Sequence, residues 1–361
     1  MAKQKRTPAR KPAGKGRAAK KPPFDVYQAV TDRILELLDA GTVPWHNPIR
    51  GAAADFPKNL ASGKPYRGVN VFLLAMTALA KGYDSPWWVT FRQAKERGGS
   101  VKKGEKSTMV VFWKKLLKDD EEPKLGPDGK PERPPFVLRY YNVFNAAAQC
   151  EGLSVPQPPD LATVPEFVKL DEAERVVREY RDPPMIEHHG TQAAYAPKLD
   201  RVRLPVPERF ESREDYYGTL FHELIHSTGI KGRCDRGLTE NPPPFGTPDY
   251  SKEELVAEMG AAFLNAVAGI GHQTIASSAS YIDGWRKKLR SDNKLVVQAA
   301  GQAQNAADHI LGVQWGEAAK GNDDAPGQTL APVHTVTPAQ SPPPNGGDNR
   351  PLGPQLSLFG S

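Results

Sequence analysis

One short motif in this 361-residue chain has the residue types and spacing of a metal-dependent hydrolase. His222, Glu223 and His226 form the pattern HExxH within the segment SREDYYGTLFHELIHSTG. Four residues are slightly more than one helical turn, so both imidazoles project from the same helix face and can bind one Zn²⁺. Glu223 lies between them, where its carboxylate can take a proton from a metal-bound water. The motif therefore predicts a zinc site of the peptidase type, with Glu223 as its catalytic residue.

A second helix offers the remaining ligand. The segment SKEELVAEMGAAFL places Glu254 and Glu258 four residues apart, on one helix face. Catalytic zinc takes three protein ligands and leaves one position open. We expect Glu254 to be the third ligand, with Glu258 either orienting a ligand histidine or binding the metal itself. Two histidines and a carboxylate suit Zn²⁺ best, and the same donors accept Mn²⁺ or Co²⁺.

The elements that must position these residues mix helices and strands. Apolar residues at helical spacing predict the helices, and short β-branched runs predict the strands. They predict helices near 164–180, 212–229, 251–268 and 291–312, and strands at 185–188 and 201–204.

A first region, ahead of the Pro-rich stretch 151–163, is also mixed. Apolar spacing predicts a helix from Phe24 to Gly41 and a second over roughly 69–80. The runs TMVVFW (108–113) and FVLRYYNVF (136–144) are typical of strands, and the charged, turn-rich sequence between them predicts a long hairpin loop. The fold class predicted for the whole chain is therefore α+β, in two domains.

Composition and charge limit the function further. Residues 1–21 contain nine Lys or Arg and no acidic residue, which is typical of a disordered, phosphate-binding or solubilising tail. No apolar stretch is long enough for a membrane helix, and no apolar core follows the basic N-terminus as in a secretory signal. We therefore expect a cytoplasmic bacterial protein with no membrane role. The two cysteines, Cys150 and Cys234, lack the spacing of a disulfide framework or a thiolate zinc cluster.

Aromatic and basic residues alternate between residues 44 and 144. Single-stranded nucleic acid binds to such mixtures because bases stack on rings and phosphates pair with cations. The alternative is a core of aromatic residues beneath a solvated basic surface. The residues that we predict to contact DNA are Trp45, Tyr66, Arg67, Trp87, Trp88, Arg92, Lys95, Lys102, Lys103 and Lys106. The wider set also contains Phe91, Arg97, Trp113, Lys114, Lys115, Tyr140 and Tyr141.

The C-terminal residues form a short apolar peptide after a Pro/Gly-rich stretch. Water penalises exposed leucine and phenylalanine, so these side chains are expected to bury in a partner or fold back on the protein. The peptide is similar to the QL[SD]LF motif with which bacterial polymerases and repair proteins bind the DNA sliding clamp. Its residues are Gln355, Leu356, Ser357, Leu358 and Phe359.

Both regions of the chain resemble one family. HELIHSTG followed by EELVAEMGAAFL is similar to the gluzincin arrangement, and closest to the zincin-like domain of ArdC antirestriction proteins and related polyvalent proteins of plasmids and phages. PWHNP, PKNLASGKPYRGVNVFLL, SPWWVTFRQAKERGGSVKKGEKSTMVVFW and YYNVFNAAAQCEGL resemble the N-terminal domain of ArdC, which is similar to part of the TraC primases. The resemblance implies binding of single-stranded DNA by the first domain and a zinc peptidase fold in the second.

The resemblance and the composition together divide the chain into five parts. They are a disordered basic tail (1–22), a single-stranded DNA-binding domain (23–150), a linker (151–163), a zincin-like metallopeptidase domain (164–317), and a disordered tail with the clamp-binding-like peptide (318–361).

Three hypotheses for the function remain open on the sequence alone. The first is an ArdC-like antirestriction protein that binds single-stranded DNA and hydrolyses peptide bonds with zinc. The second is a non-catalytic DNA-binding protein whose metal is structural, although the presence of Glu223 favours catalysis because a structural site needs no general base. The third is a DNA-recruited peptidase that cleaves a host protein.

Overall fold

The structure is a computed structural model, and it describes residues 24–46, 56–115, 136–157, 166–240, 242–244, 246–270 and 279–313. Its helices, in chain order, are α1 (Val26–Asp39), α2 (Val69–Lys81), α3 (Phe91–Glu96), α4 (Glu166–Glu179), α5 (Arg213–Ser227), α6 (Pro248–Ala268), α7 (Ala279–Ser291) and α8 (Leu295–Ile310). Across the described residues, none of the helices has the length and apolar character that crossing a membrane requires.

Short strands form three sheets. The strands are β1 (Lys58–Asn59), β2 (Trp87–Thr90), β3 (Ser100–Val101), β4 (Thr108–Lys115), β5 (Phe136–Asn145), β6 (Cys150–Glu151), β7 (Met185–His188), β8 (Ala194–Ala196) and β9 (Arg201–Leu204). One sheet has the order β1-β2-β5-β4, a second joins β3 to β6, and the third has the order β7-β9-β8.

The N-terminal region is built on the antiparallel hairpin of β4 and β5. Their register pairs Val111 with Tyr140 and Trp113 with Leu138, so these four side chains lie on one face of the hairpin. Helix α2 packs beside β4, and the buried Asn70 of α2 donates to the carbonyl of Val111 and accepts from its amide, both at 2.7 Å. This side chain satisfies a backbone position that the sheet leaves unpaired at the edge strand.

The C-terminal region is a helical layer against the small sheet of β7, β8 and β9. Helices α5, α6 and α8 pack on one another, and the sheet contacts α5. In this sheet β7 runs parallel to β9, and β8 runs antiparallel to it. Helix α6 is buried along most of its length, and its second half, residues 259–268, is apolar apart from Asn265.

The two regions share one hydrophobic core. Phe72 of α2 stacks on Phe263 of α6 with ring centroids 5.1 Å apart. Arg67 forms an ion pair with Asp308 of α8, and the hydroxyl of Thr31 in α1 donates to the carbonyl of Asn293 at 2.8 Å. The N-terminal helices are therefore packed directly against the helices of the C-terminal region.

The mixed fold predicted from the sequence is confirmed, in two domains that match a solved ArdC structure. All predicted helices and strands are present, with ends that shift by a few residues. The predictions did not include α3, α7 or the short strands. Elements of two to six residues are too short to show a period, whereas α7 was missed although Tyr281, Ile282, Trp285 and Leu289 have helical spacing. The predicted tails 1–22 and 318–361 and the loop between β4 and β5 lie outside the described residues.

Candidate functional site

Helix α5 begins and ends where its sequence predicts. The hydroxyl of Ser212 accepts the amide of Asp215 and caps the N-terminus, where acidic residues also favour the helix dipole. Leu220, Leu224 and Ile225 are buried on the sheet-facing and helix-facing sides. His222 and His226 are consequently left on the face that meets α6.

A glycine sets the close approach of α6 to α5. A Cβ atom added at Gly260 would lie 2.6 Å from Cδ1 of Ile225, closer than side chains pack. Thr247 caps the start of α6, with Pro248 in its first turn. The resulting helix pair brings Glu254 opposite the two histidines of α5.

The distances in this cluster fit a single metal ion. The Nε2 atoms of His222 and His226 are 3.2 Å apart. The carboxylate of Glu254 lies 3.6 Å from His222 Nε2 and 3.7 Å from His226 Nε2. Tetrahedral coordination at about 2.0–2.1 Å places ligand atoms roughly 3.3–3.5 Å apart. Among the described residues, these three form the group whose ligand atoms all lie within 4.8 Å of one another.

The carboxylates of the cluster favour positive charge at its centre. Burial favours the neutral form of Glu254, but its hydrogen bond to His222 and the charges of both histidines lower its pKa to about 2. Burial also opposes protonation of His222, yet Glu254, Glu223 and Glu258 together raise its pKa. His222 and Glu254 therefore share a proton, and a divalent cation bound to both groups would displace that proton.

A buried carboxylate behind His226 orients the imidazole. Nδ1 of His226 lies 3.1 Å from Oε1 of Glu253, and a carboxylate can only accept, so Nδ1 carries the proton and Nε2 faces Glu254. Arg236 holds Glu253 with two hydrogen bonds of 2.8 and 2.6 Å, and it also donates to the Ile225 carbonyl. Burial opposes ionisation of Glu253, but the hydrogen bonds from Arg236 and His226 lower its pKa.

The carboxylate that the structure places against a ligand histidine is Glu253, which the sequence did not single out. Glu258 accepts the hydroxyl of Tyr281, and its carboxylate is 4.0 Å from Nε2 of His46. Among the described residues, Glu258 is outside the group of three ligand atoms, and its charge acts on His222. Its predicted role in orienting a ligand histidine therefore stays a prediction. Glu253 and Glu254 are neighbours on α6, and their side chains point about 100° apart around the helix axis. The helical pattern does not show that Glu253 supports His226; the contact with Arg236 does.

Two further residues complete the surroundings of the candidate metal centre. Glu223 is 7 % exposed, and its negative charge acts on both His222 and Tyr250. Burial, with the charge and hydrogen bond of Glu254, raises the pKa of Tyr250 to about 12. The hydroxyl of Tyr250 therefore stays protonated at neutral pH and can donate. Tyr250 was not among the predicted residues, because no spacing links it to the HExxH motif.

Three residues predicted to stack on DNA are in the core. Trp45, Tyr66 and Trp88 are 1 %, 3 % and 1 % exposed, so their rings cannot meet bases at the surface. Arg67 is engaged by Asp308 rather than open to a phosphate. The prediction was wrong for these residues because aromatic content does not reveal which rings fill the core.

The other predicted DNA contacts remain on the surface. Trp87 is partly buried, with the ammonium of Lys58 at 5.6 Å from its ring centroid. The exposed cations are Arg92, Lys95, Lys102, Lys103 and Lys106. Further exposed rings come from the wider set, on α3 and on the β4–β5 hairpin: Phe91, Trp113, Tyr140 and Tyr141. The peptide at residues 355–359 lies outside the described residues.

Comparisons with known proteins identify both regions. Residues 24–144 match the family model of the N-terminal domain of the anti-restriction factor ArdC, and residues 171–302 match the model of a zincin-like metallopeptidase. Crystal structures of the antirestriction protein ArdC from plasmid R388 align with 35 % identity. The Mn(II)-bound form has a TM-score of 0.62 and the metal-free form 0.61, and each alignment covers 80 % of this chain and 98 % or 97 % of ArdC.

Curated relatives agree with this assignment. The uncharacterized protein y4eC of Sinorhizobium fredii is 36 % identical over 292 residues, which are 79 % of this chain and 91 % of y4eC. Two DNA primases TraC of Escherichia coli are 35 % and 34 % identical over 81 % of the chain, which spans 27 % and 20 % of their lengths. The chain is related in sequence to a solved ArdC over most of its length, and family models match both of its regions. The chain therefore belongs to the family of ArdC antirestriction proteins.

Proposed function

We propose that this protein binds single-stranded DNA in the bacterial cytoplasm and hydrolyses peptide bonds at a zinc centre, as an ArdC-like antirestriction protein. The observation that carries the peptidase part is the convergence of His222, His226 and Glu254 at ligand distances, with Glu223 on the same helix. Two imidazole nitrogens and one carboxylate oxygen favour zinc. The R388 protein was crystallised with Mn(II), and the same donors accept Mn²⁺ or Co²⁺.

The residues of the chain take distinct roles at such a centre. A divalent metal there supplies Lewis-acid polarisation of a substrate carbonyl and lowers the pKa of a coordinated water. Glu223 accepts the proton of the attacking water and passes it to the leaving amine. Tyr250 supplies a protonated hydroxyl beside Glu254, and Glu253 keeps the Nδ1 proton of His226 in place.

The test compares the purified wild-type protein with three variants. We expect near one zinc per chain in the wild type, loss of zinc in His222→Ala and Glu254→Ala, and retained zinc in Glu223→Gln. Peptide hydrolysis, measured with a library of fluorogenic peptides, is expected in the wild type and absent from Glu223→Gln. A metal-free wild type would contradict the metal centre. Metal without hydrolysis, together with full DNA protection by Glu223→Gln, would favour the structural-metal alternative.

The DNA-binding part is supported by exposed rings beside exposed cations. Trp113 and Tyr140 lie on the same face of the β4–β5 hairpin and are 47 % and 44 % exposed. Base stacking on an aromatic side chain contributes about 1–3 kcal/mol per base. The double variant Trp113→Ala/Tyr140→Ala should therefore weaken binding of a labelled oligonucleotide by at least tenfold. Met185→Ala, which removes a large exposed side chain far along the chain, serves as the control with unchanged binding.

The partner proteins are proposed from the sequence. A host protein cleaved only in cells with intact Glu223 would support the DNA-recruited peptidase. The QLSLF peptide at residues 355–359 supports binding to the DNA polymerase sliding clamp. Deleting these five residues should abolish co-elution with a purified clamp, and binding that persists without them would contradict it.

A further inference from the structure

A cavity adjoins the candidate metal centre. It has a volume of about 230 Å³ and lies between α6 and α7. Glu254, the third candidate ligand, forms part of its α6 wall together with Glu258. The α7 wall consists of Ser280, Tyr281, Gly284, Trp285 and Lys288. A ligand in this cavity would therefore touch the same carboxylate that faces the two histidines.

A glycine keeps the α7 wall open. Tyr281, Gly284, Trp285 and Lys288 follow the i, i+3, i+4, i+7 spacing of one helix face. A Cβ atom at Gly284 would meet nothing within 4 Å, and its backbone is not in the left-handed region. Glycine inside a helix costs roughly 0.5–1 kcal/mol relative to alanine. Neither packing nor backbone conformation requires this glycine, so the space above it is available to a ligand.

Contacts with the N-terminal domain hold the α7 wall in position. Trp285 is 4 % exposed and meets Trp45 edge to face, with ring centroids 5.7 Å apart. The indole Nε1 of Trp45 donates to the hydroxyl of Tyr281 at 3.1 Å. The N-terminal domain thus braces the cavity from behind, and binding needs little reordering of these rings.

Lys288 is the cation among the residues that line the cavity. Its ammonium lies 4.6 Å from the ring centroid of Trp285. Within the described residues it forms no ion pair with a carboxylate, whereas Arg286 and Arg290 of the same helix pair with Asp39. The two acids of the opposite wall are engaged elsewhere, Glu254 with the histidines and Glu258 with Tyr281.

We propose that this cavity binds a carboxylate-bearing residue of the peptide substrate, next to the bond that is cleaved. The apolar stem of that residue packs over Gly284 and Trp285, and its carboxylate pairs with Lys288. The inference rests on the proposed peptidase function. The carboxylate comes either from an acidic side chain or from the C-terminus of the peptide, and both present the same group to the lysine.

The experiment measures binding to the zinc-loaded full-length protein, so that no turnover is needed. Hydroxamates bind catalytic metals directly, and three short peptide hydroxamates are compared. One carries Glu beside the hydroxamate with an amidated C-terminus, the second carries Gln in its place, and the third carries Gln with a free C-terminal carboxylate. Acetohydroxamate, which has no side chain, reports on the metal alone. Metal content is determined in the same samples.

We expect one of the two carboxylate probes to bind about tenfold more tightly than the amidated Gln probe, which identifies the source of the carboxylate. Lys288→Gln should abolish that difference, and Lys287→Gln, at the exposed neighbouring position, should preserve it. Gly284→Leu should weaken all three peptide probes by at least tenfold while acetohydroxamate binds unchanged. Gly284→Ala, with its higher helix propensity, provides a milder filling of the cavity without loss of folding.

The outcomes separate this inference from the proposed function. A zinc-loaded protein that binds acetohydroxamate but holds the three peptide probes equally overturns the inference alone. The same holds if Lys288→Gln leaves the preference intact. A protein that binds neither zinc nor acetohydroxamate overturns the proposed function and, with it, the inference.

Discussion

Replacing Glu253 with methionine removes the acceptor that holds the Nδ1 proton of His226. In the protein this carboxylate is 3.1 Å from Nδ1 and is itself held by Arg236. Loss of such a supporting carboxylate lowers metal affinity by about 10- to 100-fold, since the ligand loses both its orientation and part of its basicity. This range corresponds to about 1.4–2.7 kcal/mol of metal-binding free energy. We therefore expect the zinc Kd of Glu253→Met to rise by one to two orders of magnitude.

Arg236→Met is the matched control for the broken ion pair. The side chains of Arg236 and Glu253 are 5 % and 10 % exposed, and removing either partner of a buried pair costs about 3–5 kcal/mol of stability. Both variants should therefore unfold at lower denaturant concentration. Only Glu253→Met removes the acceptor of the His226 proton itself, so Arg236→Met should raise the zinc Kd less than Glu253→Met does.

The assay is competition with a zinc chelator under conditions where each variant is folded by circular dichroism. Glu253→Gln, which keeps one acceptor oxygen for His226, should fall between the wild type and Glu253→Met. Nitrogen NMR of the histidine rings provides a second readout, because loss of the acceptor allows the proton of His226 to move between Nδ1 and Nε2. Equal zinc affinity in Glu253→Met and Arg236→Met would refute the reasoning.

Other predictions concern packing, a buried amide and pH. Gly260→Ala should lower the free energy of unfolding by about 1–3 kcal/mol, because its Cβ meets Ile225, and the added substitution Ile225→Ala should reduce that loss in denaturant melts. Asn70→Ala leaves the amide and carbonyl of Val111 without their partner and should cost at least 2 kcal/mol by the same melts; a smaller loss would show that water replaces it. Burial and then the charge of Arg233 lower the pKa of His309, so the unfolded chain takes up this proton first and stability falls as the pH drops below 6.5. His309→Gln should flatten that fall in melts between pH 5 and 7, and an unchanged pH profile would contradict it.

The HExxH residues show which features of the site local spacing can predict. An α-helix fixes the direction of side chains four residues apart, so the common face of His222 and His226 follows from the sequence alone. The assignment of Glu254 to the same centre also came from a helical pattern, and the structure places it at 3.6 Å from His222. Its neighbour Glu253 was missed because its role depends on a contact with Arg236, which comes from a loop and has no periodic relation to the helix.

The DNA-binding predictions show where composition fails. Trp45 and Trp88 have the same residue type as Trp113, yet the first two are buried and the third is 47 % exposed. Burial depends on which strand or turn a ring is on and on what packs over it. The proposed single-stranded DNA surface is therefore placed on the β4–β5 hairpin, where Trp113 and Tyr140 are exposed, rather than at Trp45 and Trp88.

The sequence by itself determined the mixed fold, the helices that carry the HExxH motif and its third acid, and the family to which the chain belongs. The helices and strands depend on interactions between residues close together in the chain, and the family assignment depends on motifs visible in the sequence itself. Tertiary structure alone decided that the two domains share a core, that Trp45 and His46 brace Tyr281, and that a cavity with Lys288 borders Glu254. These contacts join residues more than 30 positions apart, and their formation depends on the packing of whole helices rather than on any local preference.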